Sequence, residues 1–341
     1  MDAPRSIVVV KLSAIGDVLH GVPTAVALKR AFPASSIGWV VEGRSADVLA
    51  GHRAIDHLFR LPRGWLKSAR QVVGLRRDLR RFRPDVTLDL QGLLKSGVVA
   101  AVSGSPIRIG HARPEAREYS WLTSNRRVQA TASHVVDRNL DLLAPLGIET
   151  ADVDFDMPRW PVSRQRVASW LEPLQQQGAF VVLNPGAGWA SKRWAPDRFA
   201  ALAQAIWRDR GVRSLVIWGG AAEEATAREI VTAAGNAAIL APATSLQDLG
   251  ELFRRSPLVV SADTGPLHLA AAVGARCVGL FGPVPADRNG PYGRGHVVVE
   301  PPAELRPRWE DRKTDTAAMA AISVEQVLAA VETALSRADA A

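Results

Sequence analysis

The feature that most constrains the fold is an alternation of short apolar runs with helical patterns, which starts afresh in the second half of the chain. Runs of this length suit buried strands, and strands alternating with helices are typical of parallel βαβ units. Strands are predicted at 6–12, 37–42, 57–61, 85–91 and 107–110, then at 180–184, 213–218, 237–241, 258–262 and 276–281. The sequence therefore predicts an α/β protein with two Rossmann-like, doubly wound domains and a cleft between them.

The domain boundaries follow from where the pattern stops. The stretch from about 149 to 178 holds three prolines and ends in a glycine, which indicates a linker with a short helix inside it. We predict a first domain at 1–160, a second at 178–322 and a last amphipathic helix at 323–341, which opens with the capping-box pair Ser323 and Gln326. Other helices are predicted at 18–32, 196–210, 222–234, 246–255 and 265–273.

Composition excludes several classes of protein. No window approaches the roughly 18 apolar residues that a membrane span needs. The N-terminal "MDAPRSIVVVKLS" lacks the pattern of a secretory signal, so the cytoplasm is the expected location. The single cysteine, Cys277, excludes an internal disulfide and a cysteine-based zinc site, and its strand-like surroundings predict a buried apolar residue.

Positive charge is concentrated in one segment of the chain. The formal net charge is +8, and residues 60–84 carry nine Arg or Lys against one acid, Asp78. Such a patch attracts nucleic acid, anionic lipid headgroups or a phosphorylated substrate. A solvated, arginine-rich helix face is the alternative interpretation.

Two junctions between strand and helix in the first half carry polar residues. Ligands of open α/β sheets bind at the carboxyl ends of the strands, so such junctions are candidate sites. In "KLSAIGDVLHGVP", Gly16 permits a tight turn, and Asp17 either caps the helix or acts as a general base. In "LDLQGLLKSG", Gln91 and Lys95 either bind a polyhydroxylated ligand or serve packing and capping. The Walker pattern is absent there, so ATP hydrolysis is not supported.

Three junctions in the second half suit a nucleotide. In "LNPGAGWASKRW", freed backbone amides and Lys192 suit a diphosphate. In "IWGGAAEEATA", Glu223 and Glu224 either accept hydrogen bonds from a ribose or compensate the helix dipole. In "VVSADTGPLHLAAA", the helix start after Asp263 can hold an anion without a metal, whereas His268 is either a ligand contact or a buried, satisfied histidine.

Taken together and in order, "SAIGDVLH", "DLQGLLKS", "SKRW" and "ADTGPLHLAAA" resemble the glycosyltransferase family 9 heptosyltransferases over essentially the whole chain, the type I members most closely. The resemblance implies a GT-B fold, with an acceptor-binding first domain, an ADP-heptose-binding second domain and a C-terminal helix that packs back on the first. It also implies inverting transfer of L-glycero-D-manno-heptose from ADP-heptose to Kdo of the lipopolysaccharide inner core, without a metal or other cofactor.

The resemblance also implies residue roles and partners. Asp17 would be the catalytic base, and Lys192 would stabilise the departing diphosphate. The implied donor-binding residues are Ser13, Gly16, Gly186, Gly188, Ser191, Lys192, Glu223, Glu224, Asp263, Thr264, Gly265 and His268. The implied acceptor-binding residues are Arg63, Lys67, Gln91, Lys95 and Arg117. The acceptor would be of the Kdo-lipid A type, reached by peripheral contact with the cytoplasmic face of the inner membrane, and no nucleic acid is expected.

The sequence leaves alternatives open. Type I members commonly have a Thr-Thr pair where this chain has Ala187 and Gly188, so phosphate contacts must come from backbone amides or Ser191. A type II enzyme, or a relative with another glycan acceptor, is the main alternative. A nucleotide-sugar epimerase or hydrolase and a non-catalytic anion-binding module rank lower. A dinucleotide dehydrogenase is weaker still, because "VKLSAIGD" lacks the three-glycine fingerprint.

Overall fold

A computed structural model describes residues 3–149, 152–176 and 178–339, and divides the chain into two compact units, the first ending at Pro158 and the second starting at Arg159. Each unit holds a six-stranded sheet within the described residues, and every strand pairing is parallel. The predicted α/β class with two doubly wound domains is confirmed. None of the described helices is long and apolar enough to cross a membrane.

The first unit has the strand order β3-β2-β1-β4-β5-β6. The central strand is "SIVVV", in which all five residues are buried, as expected for a strand covered on both faces. The strands are β1 (Ser6–Val10), β2 (Ser36–Glu42), β3 (His57–Leu61), β4 (Val86–Asp89), β5 (Ile107–His111) and β6 (Arg126–Val128). The α-helices are α1 (Ile15–Ala31), α2 (Ala69–Phe82), α3 (Leu94–Val102) and α4 (Val135–Asp141).

The second unit repeats this plan with the strand order β12-β11-β10-β7-β8-β9. Its strands are β7 (Phe180–Asn184), β8 (Arg213–Val216), β9 (Ala238–Leu240), β10 (Val259–Ala262), β11 (Cys277–Leu280) and β12 (Val297–Val299). Its α-helices are α5 (Pro161–Gln175), α6 (Pro196–Arg210), α7 (Ala221–Ala234), α8 (Leu246–Phe253), α9 (Gly265–Ala272), α10 (Ala286–Asn289), α11 (Ala317–Ala320) and α12 (Val324–Asp339). Cys277 is fully buried in β11, as predicted.

All ten predicted strands are present, but one edge strand in each sheet was not predicted. Both missed strands, β6 and β12, are three residues long. β6 carries two exposed arginines, and neither strand has the length over which an alternating or continuous apolar pattern becomes visible. Their pairing is set by the neighbouring strands β5 and β11 rather than by a local signal.

The stretch expected to be a linker with a short helix is mostly helix. Helix α5 runs for 15 residues and has Pro161 in its first turn, where a missing N–H costs nothing. Pro173 lies in its last turn. Prolines therefore bound this helix rather than interrupt it, and positions 150, 151 and 177 of the stretch lie outside the described residues.

The last helix, α12, packs within the second unit. The predicted capping box is confirmed, because the Gln326 side chain accepts from the Ser323 amide at 2.9 Å and the Ser323 hydroxyl accepts from the Gln326 amide at 3.3 Å. Val327, Val331 and Ala334 join the core cluster of β7, β10 and α6. The apolar face of the helix is therefore buried within its own unit.

Alanine substitution of a helical glycine tests the packing of α8 in the second unit. A Cβ atom on Gly250 in α8 would lie 2.3 Å from the ring of Trp160, which is buried. We expect Gly250→Ala to destabilise the protein by about 1–3 kcal/mol, because overpacking outweighs the gain in helix propensity. The measurement is the free energy of unfolding in urea.

The matched control is Gly74→Ala in α2, where an added Cβ meets no heavy atom of the described chain within 4 Å. This variant should gain about 0.5–1 kcal/mol from propensity alone. A Gly250→Ala protein as stable as the wild type would contradict the packing described for α8.

Candidate active site

Gln91 fastens two loops at the carboxyl edge of the first sheet. Its Oε1 accepts from the amides of Leu12 at 3.0 Å and Ser13 at 3.4 Å, and its Nε2 donates to the Ser13 carbonyl at 2.9 Å. The loop after β4 is thereby tied to the loop after β1. Gln91 was predicted to bind the acceptor, but its amide is already committed to backbone groups.

Lys95 joins the same network. Its Nζ donates to Ser13 Oγ at 3.1 Å and forms an ion pair with Glu42 Oε2 at 3.0 Å. Glu42 ends β2, so the carboxyl ends of three strands meet through these side chains. Ser13 was assigned to the donor set, whereas the structure places it against Gln91 and Lys95, which were both assigned to the acceptor.

A buried carboxylate shapes the loop that carries these residues. Asp89 Oδ1 accepts from the amides of Gln91 at 2.9 Å and Gly92 at 3.1 Å, and Oδ2 accepts from Ser96 Oγ at 2.9 Å. Burial raises the pKa of Asp89, although these hydrogen bonds oppose the rise. Asp89 and Ser96 therefore serve loop geometry, which was the packing alternative for this junction.

Asp17 lies in the first turn of α1, with its side chain exposed. Its Oδ2 accepts from the amide of Ala14 at 3.1 Å, so the carboxylate does cap the helix. Its Oδ1 has no hydrogen-bond partner among the described residues, while Gly16 beside it is buried. One carboxylate oxygen can therefore accept a proton while the other holds the helix start.

Three predicted acceptor cations are exposed at the same edge of the first sheet. Arg63 and Lys67 follow β3, and the Arg63 side chain lies next to Gly43 in the loop after β2. Arg117 donates its amide to the Gly92 carbonyl at 2.9 Å, which sets its backbone beside the Gln91 loop. These cations have the exposure that an anionic ligand requires.

The centre of the second unit is Asp263, which follows β10 and is buried. Its carboxylate forms an ion pair with Lys192 and accepts from His268 Nε2 at 3.1 Å and Asn289 Nδ2 at 2.9 Å. Burial alone would raise the pKa of Asp263, but the hydrogen bond and charge of His268 and the charge of Lys192 outweigh it and hold the pKa well below its usual range. His268 is a buried, satisfied histidine that orients the carboxylate.

Helix α9 presents its N-terminus beside this carboxylate. Thr264 is the N-cap residue, and no described side chain caps the helix start. The Thr264 hydroxyl accepts from Asn184 Nδ2 at 3.1 Å, and Thr264 and Gly265 are partly exposed. Backbone amides at such a terminus attract an anion.

The two predicted glycines of the β7 loop differ in their surroundings. A Cβ on Gly186 would lie 2.4 Å from Glu223 Oε2, and Glu223 accepts from the Gly219 amide at 2.8 Å. Gly188 is exposed, with no described heavy atom within 4 Å of an added Cβ. Glu224 is engaged by Arg228 at 2.7 Å, so Glu223 is the better-placed carboxylate of the two for a ligand of this loop.

Ser191 corrects an expectation about phosphate contacts. It is fully buried, and its hydroxyl donates to the Arg312 carbonyl at 2.7 Å. The side chain therefore holds a distant segment in place and cannot reach a ligand. Lys192, the next residue, lies with its Nζ 4.5 Å from the ring centroid of Trp189.

Sequence reasoning missed Asn289 and Trp189. Asn289 lies 26 residues after Asp263 in "PADRNGPYG", which follows β11 and carries no local pattern that predicts a contact with Asp263. Its Oδ1 is buried without a partner among the described residues. Trp189 stands in the glycine-rich stretch "GAGWASK". An aromatic residue there does not by itself indicate a place in the site.

Within the described residues, no cluster of three or more His, Cys, Asp or Glu side chains could hold a metal ion. The second unit combines a lysine, backbone amides without a described side-chain partner, and carboxylates that can accept hydrogen bonds from hydroxyl groups. Such an arrangement can bind a diphosphate and stabilise negative charge that develops on it.

The Asp263 network makes the stability of the second unit depend on pH. A carboxyl whose pKa is lowered by folding adds stability above its unfolded pKa of about 3.9, and that stability is lost as the pH falls. We expect Asp263→Asn to destabilise the protein by roughly 1–3 kcal/mol at neutral pH. We also expect the variant to lose less stability than the wild type between about pH 5 and pH 3.

Urea unfolding at each pH measures this difference. Glu229→Gln, which changes an exposed acid of α7 in the same unit, is the control and should follow the wild type. Parallel pH profiles for Asp263→Asn and the wild type would show that Asp263 is not held ionised by its partners.

Comparison with known proteins agrees with the fold and the motifs. A sequence profile of glycosyltransferase family 9 (heptosyltransferase) matches residues 72–316. Lipopolysaccharide heptosyltransferase 1 of Pseudomonas aeruginosa is 30% identical over 331 residues, with 90% of each chain covered.

Two solved structures of the Escherichia coli heptosyltransferase WaaC are similar to this chain. The structure with ADP has a TM-score of 0.79 at 24% identity and covers 96% of this chain and 99% of its own. The structure with ADP-2-deoxy-2-fluoro heptose has a TM-score of 0.77 at 25% identity with the same coverage. From the profile match and the Pseudomonas aeruginosa relative it follows that this chain is a glycosyltransferase and belongs to glycosyltransferase family 9, the heptosyltransferases.

Proposed function

We propose that the protein transfers L-glycero-D-manno-heptose from ADP-heptose to a Kdo residue of the lipopolysaccharide inner core, with inversion at the sugar carbon. The observation that carries this proposal is the Asp263–Lys192 pair beside the open amide end of α9. The relative at 30% identity is named a lipopolysaccharide heptosyltransferase 1, and the related WaaC structure holds an ADP-heptose analogue. These names support the donor and the acceptor proposed here.

On the donor side, the reaction breaks the bond between the anomeric carbon and the β-phosphate oxygen. The electron pair leaves with ADP, so negative charge grows on the diphosphate. Lys192 and the Gly265 amide stabilise that charge, and Lys192 is held for this task by Asp263. Glu223, the carboxylate beside Gly186, accepts hydrogen bonds from the ribose. No step in this scheme requires a metal.

On the acceptor side, a Kdo hydroxyl attacks the anomeric carbon and loses its proton to Asp17. An inverting displacement needs one base, and the free Oδ1 of Asp17 supplies it while Oδ2 remains on the helix start. The exposed cations Arg63, Lys67 and Arg117 receive the carboxylates and phosphates of the acceptor. Gln91 and Lys95 shape this surface through their bonds to Ser13.

A type II enzyme, or a relative with another glycan acceptor, shares the donor chemistry and differs in the acceptor. Product mass spectrometry with Kdo-lipid A and with heptosylated acceptors separates these functions. An epimerase or a hydrolase would act on the nucleotide-sugar without any acceptor.

Asp17→Asn tests the base. Asparagine can still accept from the Ala14 amide, so the fold should remain, but it cannot take a proton. We expect the rate of ADP release from ADP-heptose and Kdo-lipid A, without added magnesium, to fall about 100- to 10,000-fold. The affinity for ADP should stay at the wild-type value.

Asp78→Asn, an exposed acid of α2, is the control and should keep full activity. An Asp17→Asn enzyme with wild-type turnover would remove Asp17 from the mechanism. A wild-type enzyme that releases free heptose without an acceptor would favour hydrolysis over transfer.

Peripheral contact with the cytoplasmic face of the inner membrane is also part of the proposal. Helix α2 buries Leu75 and Leu79, and its exposed side carries five arginines against one acid, Asp78. Anionic lipid headgroups attract such a face by about 1 kcal/mol per cation. The acceptor carries a lipid anchor, so this attraction would bring the enzyme to its substrate.

Replacing four exposed arginines of α2 with glutamine tests the contact: Arg76, Arg77, Arg80 and Arg81. Sedimentation with vesicles that contain phosphatidylglycerol should show at least a roughly tenfold loss of binding. The control replaces four exposed arginines of the second unit: Arg208, Arg210, Arg294 and Arg308. Equal losses in the two variants would assign the binding to net charge rather than to α2.

A further inference from the structure

A segment near the C-terminus of the second unit packs on the loop that carries Lys192. This segment, residues 308–316, is called the strap below. The Arg312 carbonyl accepts from Ser191 Oγ at 2.7 Å, and the Lys313 carbonyl accepts from the Ser191 amide at 3.5 Å. Since Ser191 is fully buried, the backbone of the strap is fixed beside the candidate diphosphate site.

The strap and the loop bring three cations to one aromatic ring. Measured to the ring centroid of Trp189, Lys192 Nζ lies at 4.5 Å, Lys313 Nζ at 5.5 Å and the Arg312 guanidinium carbon at 5.8 Å. Two of these charged groups can therefore be no farther apart than their two distances to the Trp189 ring centroid added together. Arg312 also stacks at 3.7 Å from the ring centroid of Trp309.

Two of the three cations in this cluster have no carboxylate partner, although the strap itself carries three acids, Glu310, Asp311 and Asp315. Lys192 is paired with Asp263, but among the described residues no carboxylate lies within 4 Å of the Arg312 or Lys313 side-chain nitrogens. Contacts with an aromatic face at an exposed site contribute only about 0.5–1 kcal/mol each. An anion bound among these groups would therefore pair with two cations that have no described carboxylate within 4 Å.

The neighbouring loop offers few other groups to an anion. Ala187 and Gly188 have no side-chain donors, Ser191 is used for the strap, and space is open around Gly188. Phosphate contacts from this side can come from the backbone, from the cations around Trp189, or from Arg193, whose Nε donates to the Ala187 carbonyl at 3.2 Å.

We propose that Arg312 and Lys313 form a second cationic subsite that binds the β-phosphate of the nucleoside diphosphate donor and of the ADP product. The inference rests on the proposed function, since it takes the donor to be a nucleoside diphosphate sugar. Lys192, paired with Asp263, holds one side of the diphosphate, and the strap cations supply the charge that this pair leaves unbalanced. Trp189 is the surface against which these cations are positioned.

The contacts separate this role from a purely structural one. The strap is anchored through its backbone and Ser191, whereas the Lys313 ammonium has no hydrogen bond or ion pair with the described residues. A neutral side chain of similar length at position 313 should therefore leave the strap in place and remove only the charge.

The test compares the affinities of the full-length protein for ADP and AMP by calorimetry. ADP carries the β-phosphate and AMP lacks it, so loss of a β-phosphate contact must weaken ADP more than AMP. For Lys313→Met we expect the dissociation constant for ADP to rise roughly tenfold, as for one charge-assisted hydrogen bond, with less than a twofold change for AMP. Lys313→Arg should restore ADP binding, and the double variant with Arg312→Met should lose more.

Arg308→Met is the matched control, because Arg308 is an exposed cation of the same strap outside the Trp189 cluster. Unchanged ADP affinity in Lys313→Met, equal losses for ADP and AMP, or an equal loss in Arg308→Met would overturn the proposed subsite. In each of these cases, wild-type ADP release from ADP-heptose with a Kdo acceptor would leave the proposed function standing. A wild-type protein that binds no ADP would overturn both.

Discussion

A buried carboxylate, Asp263, governs the arrangement of the second unit's site. An ionised group that has lost its water is stable only if charged or hydrogen-bonding partners surround it. Here the partners are Lys192, His268 and Asn289, which come from the loop after β7, from α9 and from the short helix α10. Satisfying one charge therefore fixes one loop and two helices at once. The same contact places the lysine beside the open amide end of α9 and neutralises part of its charge, so a diphosphate bound there would leave negative charge for further positive groups to balance.

The loops of the first unit are joined by weaker interactions than those around Asp263. Its loops are joined by the neutral amide of Gln91 and by Lys95, which reaches Ser13 and Glu42. Asp17 is left exposed at the start of α1, with one oxygen free. The contrast suits the division of work in an inverting transfer. Charge that develops on a leaving group is best met by groups fixed in advance, whereas a base must remain open to the hydroxyl that it deprotonates.

The features that local sequence patterns encode could be predicted from the sequence. Buried strands such as "SIVVV" and "FVVLN" carry continuous apolar runs, and Asp17, Lys192 and Asp263 stand at junctions where parallel sheets collect ligand-binding groups. Features that depend on distant partners were not predictable in this way. The burial of Ser191 follows from a bond to a residue 121 positions later, and nothing in "GAGWASK" signals it. The packing of α12 likewise depends on which apolar face is left uncovered, and this is decided by β11, β12 and α6.

The loop from Gly186 to Lys192 shows why a motif predicts a site better than it predicts the role of each member. Gly186 and Gly188 were assigned together as sources of free amides. Gly186 is buried, and the Glu223 carboxylate of α7 lies where a side chain at 186 would begin, so a larger residue there would have to displace this carboxylate. Gly188 is exposed with open space around it, so only this glycine leaves its backbone accessible to an anion. Glycine at position 186 and glycine at position 188 therefore have different structural roles. Only the three-dimensional position of Glu223 distinguishes them, since a side chain at 186 would displace a carboxylate whereas a side chain at 188 would extend into open space at the candidate phosphate site.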